Sequence, residues 1–217
     1  MADPITLSIS VLALGVSATT AWLTLFRKGT VKMTQPTVIY FGPDAPRPQK
    51  PSLPKIYLRA LLFATSKRGR IIEAMHASLS RNETHQNFNI WVHGDHKLVR
   101  GSGLFVGETG VAANHHFLTP KDGSDFKFLA GIYRLTVFAK LLGDSKEKLL
   151  FSQELFVSSD IAHSLTKIEA GLYFDWGPDA GRYLPHVDER PSALDFAKPV
   201  EAMVATNEER VEGMNAD

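Results

Sequence analysis

The fold class is decided by residues 129–143, LAGIYRLTVFAKLLG, followed by residues 151–158, FSQELFVS. From Gly131 to Ala139, small or apolar residues occupy every second position, and the intervening positions are more variable. A period of two is typical of a strand with one buried face, because successive side chains point to opposite faces. The two stretches therefore predict neighbouring β-strands joined by a short turn.

Tyr133 stands two residues after Gly131, where this alternation begins. The arrangement resembles the tyrosine corner of immunoglobulin-like sandwiches. That resemblance implies a buried ring whose hydroxyl bonds to the backbone near residues 125–130. It also makes Trp91 a candidate for a tryptophan packed between two sheets. The chain contains no cysteine, which excludes an antibody-type disulfide. Another antiparallel sandwich or a barrel is the alternative.

Further apolar, β-branched and aromatic runs are separated by Gly and Pro turn signals, as in all-β domains. They predict strands at residues 37–41, 55–65, 70–79, 87–92, 98–106, 110–118, 126–128, 132–141 and 148–157. Residues 159–167 instead predict a short helix, with Ser158 or Ser159 as N-cap and Asp160 in its first turn. The predicted fold is mainly β: an N-terminal transmembrane helix, then an antiparallel β-sandwich, immunoglobulin-like in type, with a short C-terminal helix.

Residues 5–26 carry no charged side chain, and the run ends at Arg27 and Lys28. As a helix it would span about 33 Å at ~1.5 Å per residue, close to the thickness of a bilayer core. A cleaved signal peptide fits less well, because residues 1–4, MADP, contain no Lys or Arg. A buried core helix would carry a polar face, which this run lacks. We expect an uncleaved membrane anchor.

Positive charge is concentrated after this span. Residues 27–70 contain ten Lys or Arg and one acidic residue, Asp44. Because Lys and Arg near a span stay on the cytoplasmic side, we expect an outside N-terminus and a cytoplasmic domain at a bacterial inner membrane. Arg27, Lys28 and Lys32 are predicted to contact the lipid surface. Few aromatic residues interleave with these charges, so nucleic acid is not an expected partner.

Composition divides the chain into four parts. Residues 1–28 are the anchor, and residues 29–54 are a basic, proline-rich juxtamembrane segment with the first strand. Residues 55–187 form the predicted sandwich with an aromatic C-terminal segment. Residues 188–217 carry eight acidic and three basic residues with one aromatic residue, which predicts a disordered acidic tail.

The aromatic segment, residues 171–188, reads GLYFDWGPDAGRYLPHVD and shows no strand pattern. Its centre repeats an earlier sequence, since aromatic-G-P-D-A-x-R occurs at residues 41–47 and again at 176–182. A shared Gly-Pro-Asp turn accounts for the repeat simply. Alternatively, the segment forms a contact surface, because Trp, Tyr and Arg concentrate interface energy. The residues expected to contact a partner protein or a second copy are Trp176, Asp179, Arg182 and Tyr183. The competing interpretation is a lid packed on the core.

The histidines indicate an alternative function. The protein would then be a membrane-tethered, metal-dependent hydrolase that uses His93, Asp95, His96 and one of His115 or His116. Adjacent strand residues point to opposite faces, so at most one of the last two faces any given site. No HExxH motif or cysteine ligand is present. Residues 93–96 also fit a hairpin turn. We therefore expect no metal, no other cofactor and no enzymatic activity.

Residues 27–39, RKGTVKMTQPTVI, resemble the motif R-[RK]-G-T-V-[RK]-M-T-Q-P-T-V-I of a bacterial family of single-pass, membrane-anchored proteins. The resemblance extends over most of residues 5–188 and implies a compartment but no mechanism. The function expected from the sequence is that of a membrane-anchored, cytoplasmic-facing β-sandwich that works as a binding or scaffold module.

Overall fold

The computed structural model describes residues 3–44, 53–95, 98–101, 103–120, 126–167 and 170–189. Within them, an N-terminal helix precedes thirteen strands and one short helix. In chain order these are α1 (Pro4–Ala21), a π-helical turn (Trp22–Phe26), β1 (Val31–Met33), β2 (Val38–Pro43), β3 (Pro54–Ala64), β4 (Arg70–Arg81), β5 (Thr84–Phe88), β6 (Ile90–His93), β7 (Val99–Arg100), β8 (Leu104–Val106), β9 (Val111–Leu118), β10 (Gly131–Leu141), β11 (Lys148–Val157), α2 (Ser159–Ser164), β12 (Ala170–Gly177) and β13 (Arg182–Glu189).

Helix α1 is apolar on all sides, and none of its residues is buried. The Asp3 side chain accepts a hydrogen bond from the Ile5 amide at 3.1 Å, and Pro4 occupies the first turn, where its missing N–H costs nothing. Within the 21 residues Pro4–Thr24, an 18-residue window has a mean hydropathy of 1.6. This length and composition fit a membrane anchor or a signal sequence.

The strands form two open antiparallel sheets. The larger sheet has the order β13-β12-β2-β3-β9-β6-β7, with β1 also paired to β3. The smaller sheet has the order β11-β10-β4-β5, with β8 also paired to β4. One apolar core lies between them, where alternate residues of both sheets are buried. The predicted mainly-β class, with antiparallel sheets and an N-terminal apolar helix, is confirmed.

The predicted corner tyrosine is found at the start of β10. Tyr133 is 1% exposed, its hydroxyl donates to the Leu129 carbonyl at 2.8 Å, and it accepts from the Leu129 amide at 2.8 Å. Its ring meets Phe41 of the larger sheet edge-on at 6.0 Å. Trp91 is also buried between the sheets, at 3% exposure. Both sequence predictions are confirmed.

Three strand predictions were wrong, and one of them is residues 98–106, which form β7 in the larger sheet and β8 in the smaller one. Residues 126–128 form no strand; Phe128 instead stacks on Phe41 at 5.2 Å, and Phe126 meets Phe88 at 5.7 Å. These rings cover an edge of the core, which explains their apolar character without a ladder. The predicted strand 87–92 is two strands, because β5 ends at Phe88 in the smaller sheet and β6 begins at Ile90 in the larger one.

The aromatic segment was predicted without strands, and this was also wrong. It forms the hairpin β12–β13, and β12 pairs with β2 in the larger sheet. Leu172 and Phe174 point into the core while Tyr173 points outward. Because both faces carry large rings, the alternation is hidden in the sequence.

The remaining elements follow their predictions more closely. Ser158 caps α2 by accepting a bond from the Ile161 amide at 3.3 Å, with Asp160 in the first turn. Strands β1 and β2, from the predicted juxtamembrane segment, belong to the larger sheet. Residues 190–217, most of the predicted acidic tail, lie outside the described residues.

Candidate functional site

The four predicted contact residues separate into two environments on the β12–β13 hairpin. Tyr183 is 9% exposed, and its hydroxyl donates to the Pro36 carbonyl at 2.8 Å while accepting from Gln35 Nε2 at 2.9 Å. Burial raises its pKa. Trp176 is half-buried against the core and meets the Tyr183 ring edge-on at 5.2 Å. These two rings hold the hairpin on the sheet.

Asp179 and Arg182 lie exposed at the turn of the hairpin. The prediction that all four residues contact a partner therefore stays a prediction. The buried hydroxyl of Tyr183 is already hydrogen-bonded within the chain, to Pro36 and Gln35. The three predicted lipid-contact residues, Arg27, Lys28 and Lys32, are all exposed near the end of α1 or in β1.

The repeated Gly-Pro-Asp sequence does not form one surface. Strands β2 and β12 are antiparallel, with Phe41 opposite Leu172 and Val38 opposite Asp175. The first copy therefore lies at one end of the pairing and the second at the other. Pro43 is the last residue of β2, whereas Pro178 lies in the turn after β12.

A row of aromatic rings crosses the outer face of the larger sheet, and sequence reasoning missed it. Five side chains from five adjacent strands stand directly opposite one another in the strand register. In order across the sheet, from β13 to β9, this aromatic row is His186, Tyr173, Tyr40, Tyr57 and His116. Opposed side chains in antiparallel sheets have Cβ atoms about 5 Å apart, close enough for the rings to touch.

Ring contacts link most of the row. Tyr173 stacks with His186 at a centroid distance of 5.3 Å and contacts Tyr40 at 4.8 Å. At the other end Tyr57 contacts His116 at 4.9 Å. The core is filled by the inward neighbours of these residues, such as Ile39 and Phe41. The outward rings are therefore additional to what the core needs.

Two glycines make room for the central ring. Gly42 of β2 and Gly171 of β12 both lie against Tyr40, and a methyl group on either would overlap its ring. The Tyr40 hydroxyl donates to the Pro43 carbonyl at 3.1 Å, and Lys55 Nζ lies 5.7 Å from the ring centre. As a result Tyr40 is only 1% exposed, although it is on the outer face.

Polar groups fix one flank of the row. Arg59 Nη1 donates to Asp95 Oδ1 at 2.8 Å and to Asn114 Oδ1 at 2.9 Å. The Tyr57 hydroxyl donates to the same Asn114 oxygen at 3.1 Å. Burial raises the pKa of Tyr57, and burial lowers the pKa of His116 to about 4, helped by the nearby Lys55 charge. His116 is therefore neutral at pH 7.

The adjacent histidines of the hydrolase alternative, His115 and His116, lie on opposite faces of β9, and His93 is the last residue of the neighbouring strand β6. His115 points into the core, where Trp91 Nε1 donates to its Nδ1 at 3.3 Å, and burial lowers its pKa to about 4. His116 points outward toward Tyr57, as the strand alternation predicts. His96 lies outside the described residues. In the part of the chain that the structure describes, no three His, Cys, Asp or Glu side chains are grouped to hold a metal ion.

Comparison with family models, with curated proteins and with solved structures gives no significant match. A function is therefore inferred from the residues and geometry of this chain alone.

Proposed function

We propose that this protein is a membrane-anchored binding module that holds an immunoglobulin-like domain at the cytoplasmic face of a bacterial inner membrane and binds a protein partner. The observation that carries the proposal is the aromatic row. Cross-strand ring pairs stabilise a sheet, but the solubility of an outer face does not require five rings in register, and Tyr is a frequent hot-spot residue in protein interfaces.

The immunoglobulin-like type is supported by strand order and by the corner tyrosine. The order β11-β10-β4-β5 corresponds to G-F-C-C′, and β2-β3-β9-β6 corresponds to A-B-E-D. Tyr133 lies at the start of β10, the strand in the F position. On this assignment the β12–β13 hairpin extends the sheet beyond strand A.

The charges around the row favour a polypeptide partner over a charged polymer. Lys55 pairs with Asp44 at 3.1 Å, Arg59 with Asp95 at 2.8 Å, and His186 Nδ1 lies 3.1 Å from Asp175. Lys55 and Arg59 thus each have a carboxylate neighbour, which leaves little net field to attract nucleic acid. Rings already held by their neighbours also lose little side-chain entropy on binding.

The anchor is supported by α1, which has no buried residue, and its orientation by the basic residues that follow it. A reporter fused after Asp217 tests the orientation. We expect activity from a reporter that works in the cytoplasm and none from a periplasmic phosphatase. Phosphatase activity would overturn the orientation, and loss of residues 1–26 from the mature protein would identify α1 as a signal sequence.

Binding is tested by co-purification from solubilised membranes. The double variant Tyr173→Ser/His186→Ser removes one stacked pair from the row and should reduce recovery of the partner at least about tenfold, as loss of ~1.4 kcal/mol does. The matched control is Phe138→Ser/His76→Ser, because Phe138 and His76 form a similar cross-strand stack at 5.1 Å on the smaller sheet. Equal recovery with both double variants would contradict the assignment of the row.

A further inference from the structure

Only residues 27–30 connect the helical chain to β1, the first strand of the domain. The helical chain ends at Phe26, and Lys28 Nζ already contacts Asp144 Oδ1 at 3.0 Å and the Gly143 carbonyl at 3.1 Å. Arg70 donates to the Gly29 carbonyl at 3.1 Å and also contacts Asp144 at 2.9 Å. The end of the domain beside α1 is therefore fixed near the end of the helix. We call this end the base; it comprises residues 65–71, 104–106 and 142–144.

The base exposes large apolar side chains. Phe105 is 60% exposed, Leu142 is 50% exposed and Ile71 is 38% exposed. They are contiguous, because Ile71 is opposite Phe105 in the β4–β8 pairing and the Leu142 amide donates to the Ile71 carbonyl at 2.9 Å. Together with Phe26 they line a shallow cavity. A contiguous exposed apolar patch marks a surface that contacts a membrane or another molecule.

Basic side chains border this patch. Lys67 and Arg68 lie exposed in the turn between β3 and β4, and Arg68 and Lys28 line the same cavity as Phe105. The base contains one acid, Asp144, whose carboxyl pKa is lowered by hydrogen bonds from Arg70 and Lys28. Apolar side chains bordered by Lys and Arg match the bilayer interface, where acyl chains lie below anionic headgroups.

We propose that the base is a second membrane contact: Ile71, Phe105 and Leu142 insert at the boundary between headgroups and acyl chains, and Lys67 and Arg68 bind anionic headgroups. This rests on the proposed function, since it requires α1 to remain as an anchor in the same bilayer. The contact fixes the tilt of the domain, so that the aromatic row is presented at a constant angle and height above the membrane.

The other end of the domain provides a matched reference. Ile132 and Phe156 are opposite each other in the β10–β11 pairing and are 60% and 62% exposed. Strand β10 carries Ile132 near its first residue, whereas its last residue, Leu141, pairs with Ile72 next to the base. About nine residues of strand separate the two ends, or ~30 Å. The Ile132–Phe156 pair is therefore apolar and exposed but away from the bilayer.

The chain has no cysteine, so single labels can be placed at either end. We would prepare full-length Phe105→Cys and Phe156→Cys, attach a nitroxide and reconstitute each protein in vesicles of phosphatidylcholine with phosphatidylglycerol. Collisions with oxygen, which partitions into lipid, should exceed collisions with a water-soluble nickel chelate at residue 105. The order should be reversed at residue 156. Leu142→Cys gives a second site should the Phe105 variant fold poorly.

Two outcomes separate the two proposals, and a third result tests the basic residues. Greater exposure to the nickel chelate at residues 105 and 142, in protein that is firmly incorporated, would overturn the base contact alone. Failure of the protein to incorporate would overturn the anchor and the base contact together. With Lys67→Gln/Arg68→Gln, the label at residue 105 should become more accessible to the chelate in the anionic vesicles. An unchanged accessibility would contradict the role of the two basic residues.

Discussion

The two sheets share one core, yet their outer faces are built differently. The outer face of the larger sheet carries five rings in one register, and its central ring, Tyr40, is 1% exposed. Among the described residues, the outer face of the smaller sheet carries one stacked pair, Phe138 with His76, and hydroxyl neighbours such as Thr136 opposite Ser152. Its exposed large apolar side chains are Ile132 with Phe156 at one end, Ile71 with Phe105 at the base, and Leu149 between them along β11.

This difference distinguishes the side chains that a stable sheet requires from further side chains on its outer face. Between its exposed apolar ends, the outer face of the smaller sheet carries short polar side chains and an exposed ion pair, Arg134 with Glu154 at 2.7 Å. The larger sheet has the same kind of core on its inner face, so the packing of the core does not explain the rings on its outer face. We attribute these rings to contact with a partner, and the following predictions test whether the two faces differ as described.

The largest effect is expected from the centre of the row. Tyr40→Ala removes a buried ring and should lower the free energy of unfolding by about 3–4 kcal/mol. Phe138→Ala, on the outer face of the smaller sheet, should cost about 1–2 kcal/mol because its ring is only half-buried. Urea denaturation measures both. Equal losses would show that the two faces are built alike.

A double-mutant cycle sharpens this result. Gly171→Ala places a methyl group against the Tyr40 ring and should cost about 1–3 kcal/mol. Most of that cost should disappear in the Tyr40→Ala background, where the ring is absent. Additive losses would mean that Gly171 is required for another reason.

The pH dependence of stability tests how well the row excludes water. His116 has a native pKa of about 4 and a pKa near 6.5 when unfolded. The unfolded chain therefore binds more protons between these values, and stability falls as the pH drops from about 6.5 to 4. We expect His116→Gln to reduce this fall by about 2 kcal/mol, after allowance for partial exposure. Urea denaturation of both proteins at several pH values gives the difference; identical profiles would contradict a neutral, packed His116.

Substitution of Tyr by Phe removes the same group, a hydroxyl, from either sheet, so the stability costs in the two sheets can be compared directly. Tyr133→Phe in the smaller sheet and Tyr183→Phe in the larger one each remove a hydroxyl with two hydrogen bonds. Each should cost about 1–2 kcal/mol, since a backbone carbonyl loses its partner. Tyr57→Phe should cost less, about 0.5 kcal/mol, because Asn114 keeps its bond to Arg59. Thermal unfolding ranks the three variants, and a cost at Tyr57 as large as at Tyr133 would contradict this ranking.

The smallest effect is expected on the smaller sheet. Arg134→Ala breaks an ion pair whose side chains are 63% and 60% exposed. Such pairs contribute about 0.5 kcal/mol or less, so the melting temperature should change little. A loss above about 1 kcal/mol would show that this face also carries organised interactions.

Local patterns in the sequence were sufficient for β10. Its strict alternation and the glycine before Tyr133 depend on neighbours in the chain, so the strand and the corner bond could both be predicted. The hairpin β12–β13 could not, because Tyr173 and His186 place large side chains on the face that usually carries polar ones. A period of two is invisible when both faces are aromatic or apolar.

The sequence contains a pattern that partly predicts the aromatic row. Tyr40, Tyr57 and Tyr173 each lie between two apolar residues, in the tripeptides IYF, IYL and LYF. This pattern places a tyrosine on the outer face of each strand, provided that the flanking residues are inside. It does not reveal that the three strands are adjacent and in register, because that depends on pairings between residues far apart in the chain.

The central claim is that the protein binds its partner through the aromatic row while anchored in the membrane. Photo-cross-linking in native membranes tests it most directly, with p-benzoylphenylalanine placed at residue 173 or at residue 138. We predict one discrete adduct from residue 173, abolished by His186→Ser, and none from residue 138. Absence of an adduct at residue 173 in folded, membrane-bound protein, or the same adduct from both residues, would contradict the account.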